Sequence, residues 1–142
     1  VEIELHVLAR LPEDYLPDVH ARLILYKRIA NASNSDELRE LREEVIDRFG
    51  VFDDMVDNLF RVASLKIDSL KLGLKRVDLG NRGGFFEFGP DPRVEPERVI
   101  ALVQKDKCYR MDGGERIRVV RDLPDAESRF SEIATVFEVF NY

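Results

Sequence analysis

Apolar side chains recur at helical spacing through residues 11–50 and predict two helices joined in a hairpin. Pro17-Asp18 marks the start of the first helix, because proline suits the first helical turn and Asp is a favoured cap. Polar residues 31–35 interrupt the pattern, and Gly50 follows the second helix as a C-terminal cap. The residues predicted to face the core are Val19, Leu23, Tyr26 and Ala30, widened by Leu25 and Ile29, and then Leu38, Leu41, Val45 and Phe49.

The remaining patterns predict an α+β fold with the element order β-ααα-ββ-α-ββ-α. Residues 1–7 alternate like a half-buried strand, and a third helix is expected to run to about Leu72. Two strand–turn–strand segments follow, separated by a short helix from Pro96 and followed by a last helix from Pro124. We expect the helices to pack on small antiparallel β units. The third helix would bury Met55, Leu59, Val62, Ala63, Ile67 and Leu70, and the last helix Phe130, Ile133, Ala134, Phe137 and Phe140.

The second helix carries a set of acidic residues opposite its apolar stripe. At about 100° per residue these side chains fall in one sector, and several are like-charge pairs four residues apart, which cost a few tenths of a kcal/mol each. Two interpretations stay open: a solvated acidic face, or a docking strip for a basic surface. We call this set the acidic strip; its members are Asp36, Glu40, Glu43, Glu44 and Asp47.

Length and composition describe one soluble globular domain over residues 1–142, or one domain with a small annex. The chain is 44% hydrophobic and 35% charged, and its net charge is −6, which argues against a dedicated nucleic-acid binder. The lone Cys108 cannot form an internal disulfide and fits a reducing compartment. No apolar run approaches the length of a membrane span. A strand pattern beginning at Val1 suggests a piece excised from a larger protein. We also expect this piece to be a monomer.

The sequence offers no catalytic, metal or cofactor site. It lacks the phosphate-binding motif G-x-x-x-x-G-K-[ST]. His6 and His20 lack metal-ligand spacing, and Cys108 lacks the local signature of a nucleophile. We expect the acidic start of the third helix, at Asp53, Asp54 and Asp57, to reflect the helix dipole rather than a bound cation. An independent small enzyme therefore finds no support.

A nucleic-acid contact module is the alternative function. It would act through scattered bases that could contact phosphates, although no aromatic interleaving accompanies them. Steeply salt-dependent DNA binding would be its signature. The bases are Lys27, Arg28, Lys66, Lys71, Lys75, Arg76, Lys105 and Lys107.

Several motifs resemble one bacterial family, the C-terminal domain of transcription-repair coupling factor (Mfd). The specific pieces are Leu-Tyr-Lys-Arg-Ile-Ala at residues 25–30 and Glu-Val-Ile-Asp-Arg-Phe-Gly at residues 44–50. Leu11-Pro12, the Tyr-Leu-Pro-Asp of residues 15–18, Leu72-Gly73 and the later Gly-Gly-Phe and Tyr-Arg-Met-Asp segments also fit. The resemblance covers essentially the whole chain.

The resemblance implies a role within a large cytoplasmic, ATP-driven translocase on double-stranded DNA. Such a parent displaces RNA polymerase stalled at lesions and recruits nucleotide excision repair through UvrA, while ATP and magnesium bind in its upstream motor. The C-terminal domain folds back on a UvrB-like module of the same polypeptide, masks the UvrA-binding surface and restrains the motor. On this basis the acidic strip is the expected interdomain interface, with Glu44 and Asp47 as its first candidates because they lie inside a family motif.

Overall fold

The computed structural model describes residues 1–141 and divides the chain into two compact units. The helical unit is Leu8–Ile67, and the sheet unit combines Val1–Val7 with the chain from Asp68 onward. In chain order the elements are β1 (Glu2–Glu4), α1 (Val19–Ala30), α2 (Ser35–Phe49), α3 (Asp54–Lys71), β2 (Leu74–Gly80), β3 (Gly83–Phe88), α4 (Pro96–Lys105), β4 (Tyr109–Asp112), β5 (Arg116–Val120) and α5 (Ala126–Asn141). The predicted α+β class and element order are confirmed.

The helical unit packs α1, α2 and the first part of α3 around one apolar core. Asp18 caps α1 by accepting hydrogen bonds from the backbone N–H groups of His20 and Ala21. The Tyr26 hydroxyl accepts a 2.7 Å hydrogen bond from the Leu11 N–H, which fastens the preceding loop to α1. The buried core residues of this unit are Leu11, Leu16, Leu25, Ile29, Leu38, Leu41, Val45, Val56, Phe60 and Ile67.

Two of the predicted core stripes are right only in part, because the buried face of each helix is rotated from the predicted one. In α1, Leu25 and Ile29 are buried whereas Val19, Leu23 and Ala30 are exposed. In α3, Val56 and Phe60 enter the core with Ile67, whereas Leu70 is exposed and Met55, Leu59, Val62 and Ala63 are only half-buried. Apolar residues lie on several sides of both helices, so periodicity permits more than one buried face. The α2 stripe is confirmed at Leu38, Leu41 and Val45, and Phe49 is half-buried.

The sheet unit contains one five-stranded mixed sheet with the order β1-β2-β3-β5-β4. β1 runs parallel to β2, and the other neighbouring pairs are antiparallel. The two predicted hairpins are present, but β3 pairs with β5 and joins them into a single sheet rather than separate units. β1 is shorter than predicted, because regular pairing ends at Glu4 and His6 adopts a left-handed φ of 54°.

The α5 helix packs its aromatic side chains on this sheet. The ring centroids of Phe137 and Phe86 lie 6.4 Å apart, and those of Phe140 and Phe88 lie 5.7 Å apart. Phe130 and Ile133 are also buried as predicted, but Ala134 is exposed and Val136 is buried instead. Ala134 and Val136 are two positions apart and therefore lie on nearly opposite sides of the helix, so only one of them can face the core.

Buried polar side chains of α5 are all held by specific partners. The Arg129 guanidinium donates hydrogen bonds to the carbonyls of Leu5, His6 and Leu123 and to the Asn81 side chain. Glu132 accepts a 2.6 Å hydrogen bond from the Tyr109 hydroxyl, and its other oxygen lies 3.4 Å from the Arg121 guanidinium. Burial, reinforced by the carboxylate of Glu132, raises the pKa of Tyr109. These contacts tie α5 to β4 and to the loops around the sheet.

Candidate docking surface

The α2 helix is held in place by a side-chain cap at its start. Asn34 accepts a 2.8 Å hydrogen bond from the Glu37 N–H, and the Glu37 carboxylate accepts from both the N–H and the hydroxyl of Ser33. These reciprocal contacts satisfy donors that the first helical turn leaves open. At the other end Gly50 takes a φ of 95°, so a residue with positive φ ends the helix as predicted. The acidic strip therefore lies on a well-defined helix.

The structure places all five strip residues on the side of α2 away from its buried stripe. Asp36, Glu40, Glu43 and Asp47 are exposed, and Glu44 is partly buried at the edge nearest α1. Their grouping on one face agrees with the sequence analysis. Their role as an interdomain interface stays a prediction.

Glu44 is engaged by arginines of the same chain. The Arg28 guanidinium on α1 grips its carboxylate through two hydrogen bonds of 2.5 and 3.1 Å, and Arg48 lies 3.8 Å away. These hydrogen bonds from Arg28 hold the pKa of Glu44 below its usual range, and the same contact raises the pKa of Arg28. Arg28 thus orients the Glu44 carboxylate and is not an unpaired cation.

The other four strip residues differ in whether their carboxylates already form an ion pair. Asp36 pairs with Arg39 at 2.9 Å. Within residues 1–141, Glu40, Glu43 and Asp47 form no ion pair. Three exposed carboxylates beside an oriented fourth create a local negative potential, which favours a cationic surface.

A groove of about 410 Å³ runs between α1 and α2 beside the strip. Its apolar surface comes from Ile24 and Leu41, and one rim carries Glu40 and Glu44. The rest of the lining is Lys27, Arg28, Asn31 and Glu37. The sequence pattern did not predict this groove, because Arg28 counts there as one of the scattered bases and Ile24 lies outside the predicted core stripe. The only available signal was their position in and beside the family motif at residues 25–30.

Several of the scattered bases are already paired with carboxylates. Arg28 binds Glu44, Arg76 lies 3.6 Å from Glu2 and 3.4 Å from Asp78, and Lys75 lies 3.7 Å from Glu87. Such pairing leaves these side chains less able to bind phosphate groups. The geometry therefore does not favour the nucleic-acid alternative.

No cluster of three or more His, Cys, Asp or Glu side chains within residues 1–141 could hold a metal ion. Over the same residues, no helix combines the length and apolarity that crossing a bilayer requires. The acidic strip and its neighbouring groove form the candidate docking surface.

The fold and this surface define an α+β domain that presents an acidic helix next to an open interhelical groove. Comparison with known proteins identifies the family: the TRCF domain matches residues 5–99. The chain belongs to the TRCF domain family, which confirms the resemblance drawn from residues 25–30 and 44–50.

Curated relatives carry the name transcription-repair-coupling factor. The Haemophilus influenzae protein is 44% identical over 129 residues, and the Escherichia coli K12 protein is 40% identical over the same length. Each alignment covers 90% of this chain and only 11% of the relative, so the chain spans about a tenth of those proteins. A crystal structure of the C-terminal domain of transcription-repair coupling factor has the same fold, with a TM-score of 0.79 at 21% identity over 98% of this chain and 92% of that one.

Proposed function

We propose that this chain is a regulatory domain of a transcription-repair coupling factor and acts as an intramolecular clamp. It docks on a UvrB-like module of the same polypeptide, masks the surface that binds UvrA, and restrains an ATP-driven motor that uses magnesium and moves on double-stranded DNA. Engagement of stalled RNA polymerase by the parent opens the clamp. The relatives' name and the family resemblance support this role, and the parent's cytoplasmic setting is part of the proposal.

One observation carries the clamp proposal: three carboxylates that form no ion pair within residues 1–141 lie beside a fourth that Arg28 holds in position. Glu40, Glu43 and Asp47 are gathered on one helix face despite their mutual repulsion. A basic surface relieves that repulsion, and arginines suit it because their planar fork binds carboxylates through two hydrogen bonds. The pairing would be screened by salt, so the clamp should loosen as ionic strength rises.

The intact coupling factor that contains this chain provides the test. The variant Glu44→Ala with Asp47→Ala removes two charges from the strip. Close charge pairs across an interface contribute about 1.5 kcal/mol or more, so the closed state should lose roughly tenfold or more in relative population. UvrA binding and DNA-stimulated ATP hydrolysis should both increase.

A matched control removes the same charge elsewhere. Asp122 and Glu138 are exposed residues of the sheet unit, and replacing both with alanine should leave both activities at their restrained level. If the strip variant also leaves them restrained, the strip is a solvated face and the clamp proposal fails.

A further inference from the structure

The strand β4 presents an unpaired backbone edge at one end of the sheet. Within residues 1–141 it pairs only with β5. The Val120 N–H donates to the Cys108 carbonyl, and hydrogen-bonded positions alternate along an antiparallel pair. Arg110 therefore directs its N–H and C=O toward β5, whereas Met111 directs both groups away from the sheet. Such an edge can accept a further strand.

A groove lies beside this edge, on the side of the sheet that carries α5. Tyr109 points to that side, because its hydroxyl bonds to Glu132 of α5. Met111 lies on the same side, since side chains alternate along a strand. The groove has a volume of about 330 Å³, and we call it the α4 groove. Its lining includes Phe88, Val94, Val99, Ile100 and Met111, with Glu115 as a charged member.

Apolar side chains of the α4 groove are open to solvent. Ile100 is 54% exposed and Met111 is 44% exposed, and the lining residues Pro92 and Pro96 are exposed as well. Contiguous exposed apolar surface marks interaction sites, whereas single exposed apolar residues need no partner. Because Glu115 would repel a second carboxylate, the groove suits an apolar side chain better than an acidic one.

Three cations next to the β4 edge lack a carboxylate partner. Lys105 ends α4, Lys107 precedes β4, and Arg110 lies within the strand. All three are exposed, and within residues 1–141 none of them forms an ion pair. Arg110 lies directly opposite Arg118, a like-charge pair that destabilises a sheet. Asp112 pairs with Arg118 at 2.9 Å and leaves Arg110 without a counter-charge.

We propose that the β4 edge binds an extended acidic segment of a partner protein by strand addition. The segment hydrogen-bonds to the backbone of Met111, places apolar side chains in the α4 groove and presents Asp or Glu side chains to Arg110. Apolar and acidic residues alternate in it, because the positions beside Met111 and Arg110 lie on opposite sides of the sheet. Backbone hydrogen bonds provide affinity and the groove provides specificity. This surface belongs to the sheet unit and does not rest on the clamp proposal.

Charge complementarity selects an acidic segment over a second copy of the chain. Two β4 edges paired with each other would bring Lys107 and Arg110 of both copies together and repel. β4 is also only 4 residues long, and a short cationic edge resists pairing with its own kind. Nucleic acid is anionic, but it supplies neither the peptide groups of a strand nor alternating apolar side chains.

The test measures binding of this chain to a capped, fluorescent peptide of alternating valine and glutamate by fluorescence anisotropy. A peptide of the same composition with its valines grouped at one end removes the alternation, and a valine–lysine peptide reverses the charge. The alternating acidic peptide should bind about tenfold more tightly than either. Equal affinity for the alternating and the regrouped peptide would exclude strand addition and overturn the inference.

The variant Met111→Pro isolates the backbone contact. Proline removes the outward N–H of an edge strand without breaking a hydrogen bond to the neighbouring strand, and Met111→Ala removes the methionine side chain while keeping that N–H. Met111→Pro should bind the acidic peptide roughly three- to tenfold more weakly than Met111→Ala. Circular dichroism checks that both variants fold.

N-methylation of the peptide tests the same hydrogen bonds without altering the chain. Methyl groups on alternate peptide nitrogens should abolish binding in the register that faces β4 and leave it intact in the other register. If neither register matters and the two Met111 variants bind alike, the segment does not add as a strand and the inference is overturned.

Salt dependence separates the charged contact from the apolar one. Arg110→Glu should weaken binding of the acidic peptide about tenfold at low ionic strength, and the loss should shrink as salt rises. Ile100→Ala should weaken it by a factor that salt does not change. Lys71→Glu is the matched control, because it makes the same charge change at an exposed position of α3. An Arg110→Glu effect no larger than that of Lys71→Glu would overturn the assigned partner chemistry.

Two further measurements test the other occupants of the edge. The chain should sediment as a monomer at the concentrations used for binding and should not bind labelled single-stranded DNA tightly. Self-association that Met111→Pro abolishes, or DNA binding that Arg110→Glu abolishes, would identify a different occupant and overturn the inference.

Discussion

Leu41 and Leu23 occupy opposite environments on adjacent helices of the helical unit. Leu41 is 5% exposed and belongs to the core with Leu25 and Val45, whereas Leu23 is 62% exposed. Both are leucines in helix interiors, so truncating either to alanine removes the same atoms without harming helix propensity. The difference between their effects therefore reports burial alone.

Leu41→Ala should lower the free energy of unfolding by about 2–5 kcal/mol, because it removes buried methyl groups and leaves a cavity. Leu23→Ala, the matched control, should change it by less than about 0.5 kcal/mol. Urea denaturation followed by circular dichroism measures both. Equal losses for the two variants would mean that α1 is rotated from the position described here.

Asp106 is the residue whose ionisation should matter for stability in acid. Its carboxylate accepts a 2.9 Å hydrogen bond from the Cys108 N–H and pairs with Arg121 at 2.5 Å. These contacts, the backbone hydrogen bond first, hold its pKa below the ordinary value. Folding therefore favours the charged form of Asp106. Its contribution to folding stability is fully present above the unfolded-state pKa and is lost as pH falls through the folded-state pKa.

Asp106→Asn should reduce stability at neutral pH by roughly 1 kcal/mol, a value discounted because the side chain is partly exposed. The deficit should shrink as pH falls through the lowered folded-state pKa of Asp106, because the unmodified carboxyl is then protonated as well. Denaturant titrations at a series of pH values give the comparison, with Asp122→Asn as an exposed control. A deficit that persists unchanged in strong acid would contradict the assigned cause.

At the scale of elements, the central strand β3 depends on a close approach of backbones. Gly84 pairs with Leu79 of β2 and with Val119 of β5. A Cβ at this position would lie only 1.8 Å from the Asp78 carbonyl oxygen, which is backbone and cannot move away cheaply. Glycine is therefore required where β3 joins the two hairpins into one sheet.

Gly84→Ala should destabilise the chain by well over the roughly 1 kcal/mol of an average substitution, because the strands must separate to admit the methyl group. Gly114 supplies the control, since a Cβ there meets no heavy atom within 4 Å. Thermal melts of Gly84→Ala and Gly114→Ala should differ by many degrees. Similar melting temperatures would show that the strands accommodate a side chain at position 84.

On the scale of the whole molecule, this chain should neither hydrolyse ATP nor bind DNA tightly. It lacks a phosphate-binding loop motif, carries a net charge of −6, and has several of its bases paired with carboxylates. ATP turnover with and without duplex DNA, and fluorescence anisotropy of labelled DNA over a range of salt, measure both properties. Under the proposed function, the intact coupling factor should be active in both assays and serves as the positive control. Turnover by the purified chain, or steeply salt-dependent DNA binding, would favour the alternatives set out above.

The sequence by itself determined the element order, the cap region and end of α2, and which α2 residues face the core. These features are local: polar caps, glycine and a strong contrast between apolar and charged faces specify them without reference to other elements. The grouping of the acidic strip follows for the same reason, because residues of one helix keep their angular positions wherever that helix packs. The motif at residues 44–50 likewise identified the family without any coordinates.

Tertiary structure alone decided the rotations of α1 and α3 and the joining of the hairpins through β3 and β5. Both helices have apolar residues on several sides, so the packing of the core selects the buried face. The same holds for the pairing of Arg28 with Glu44, which are 16 residues apart on different helices. Periodicity carries no information about which side chains meet across a helix interface, and the groove beside Ile24 exists only because α1 and α2 pack as they do.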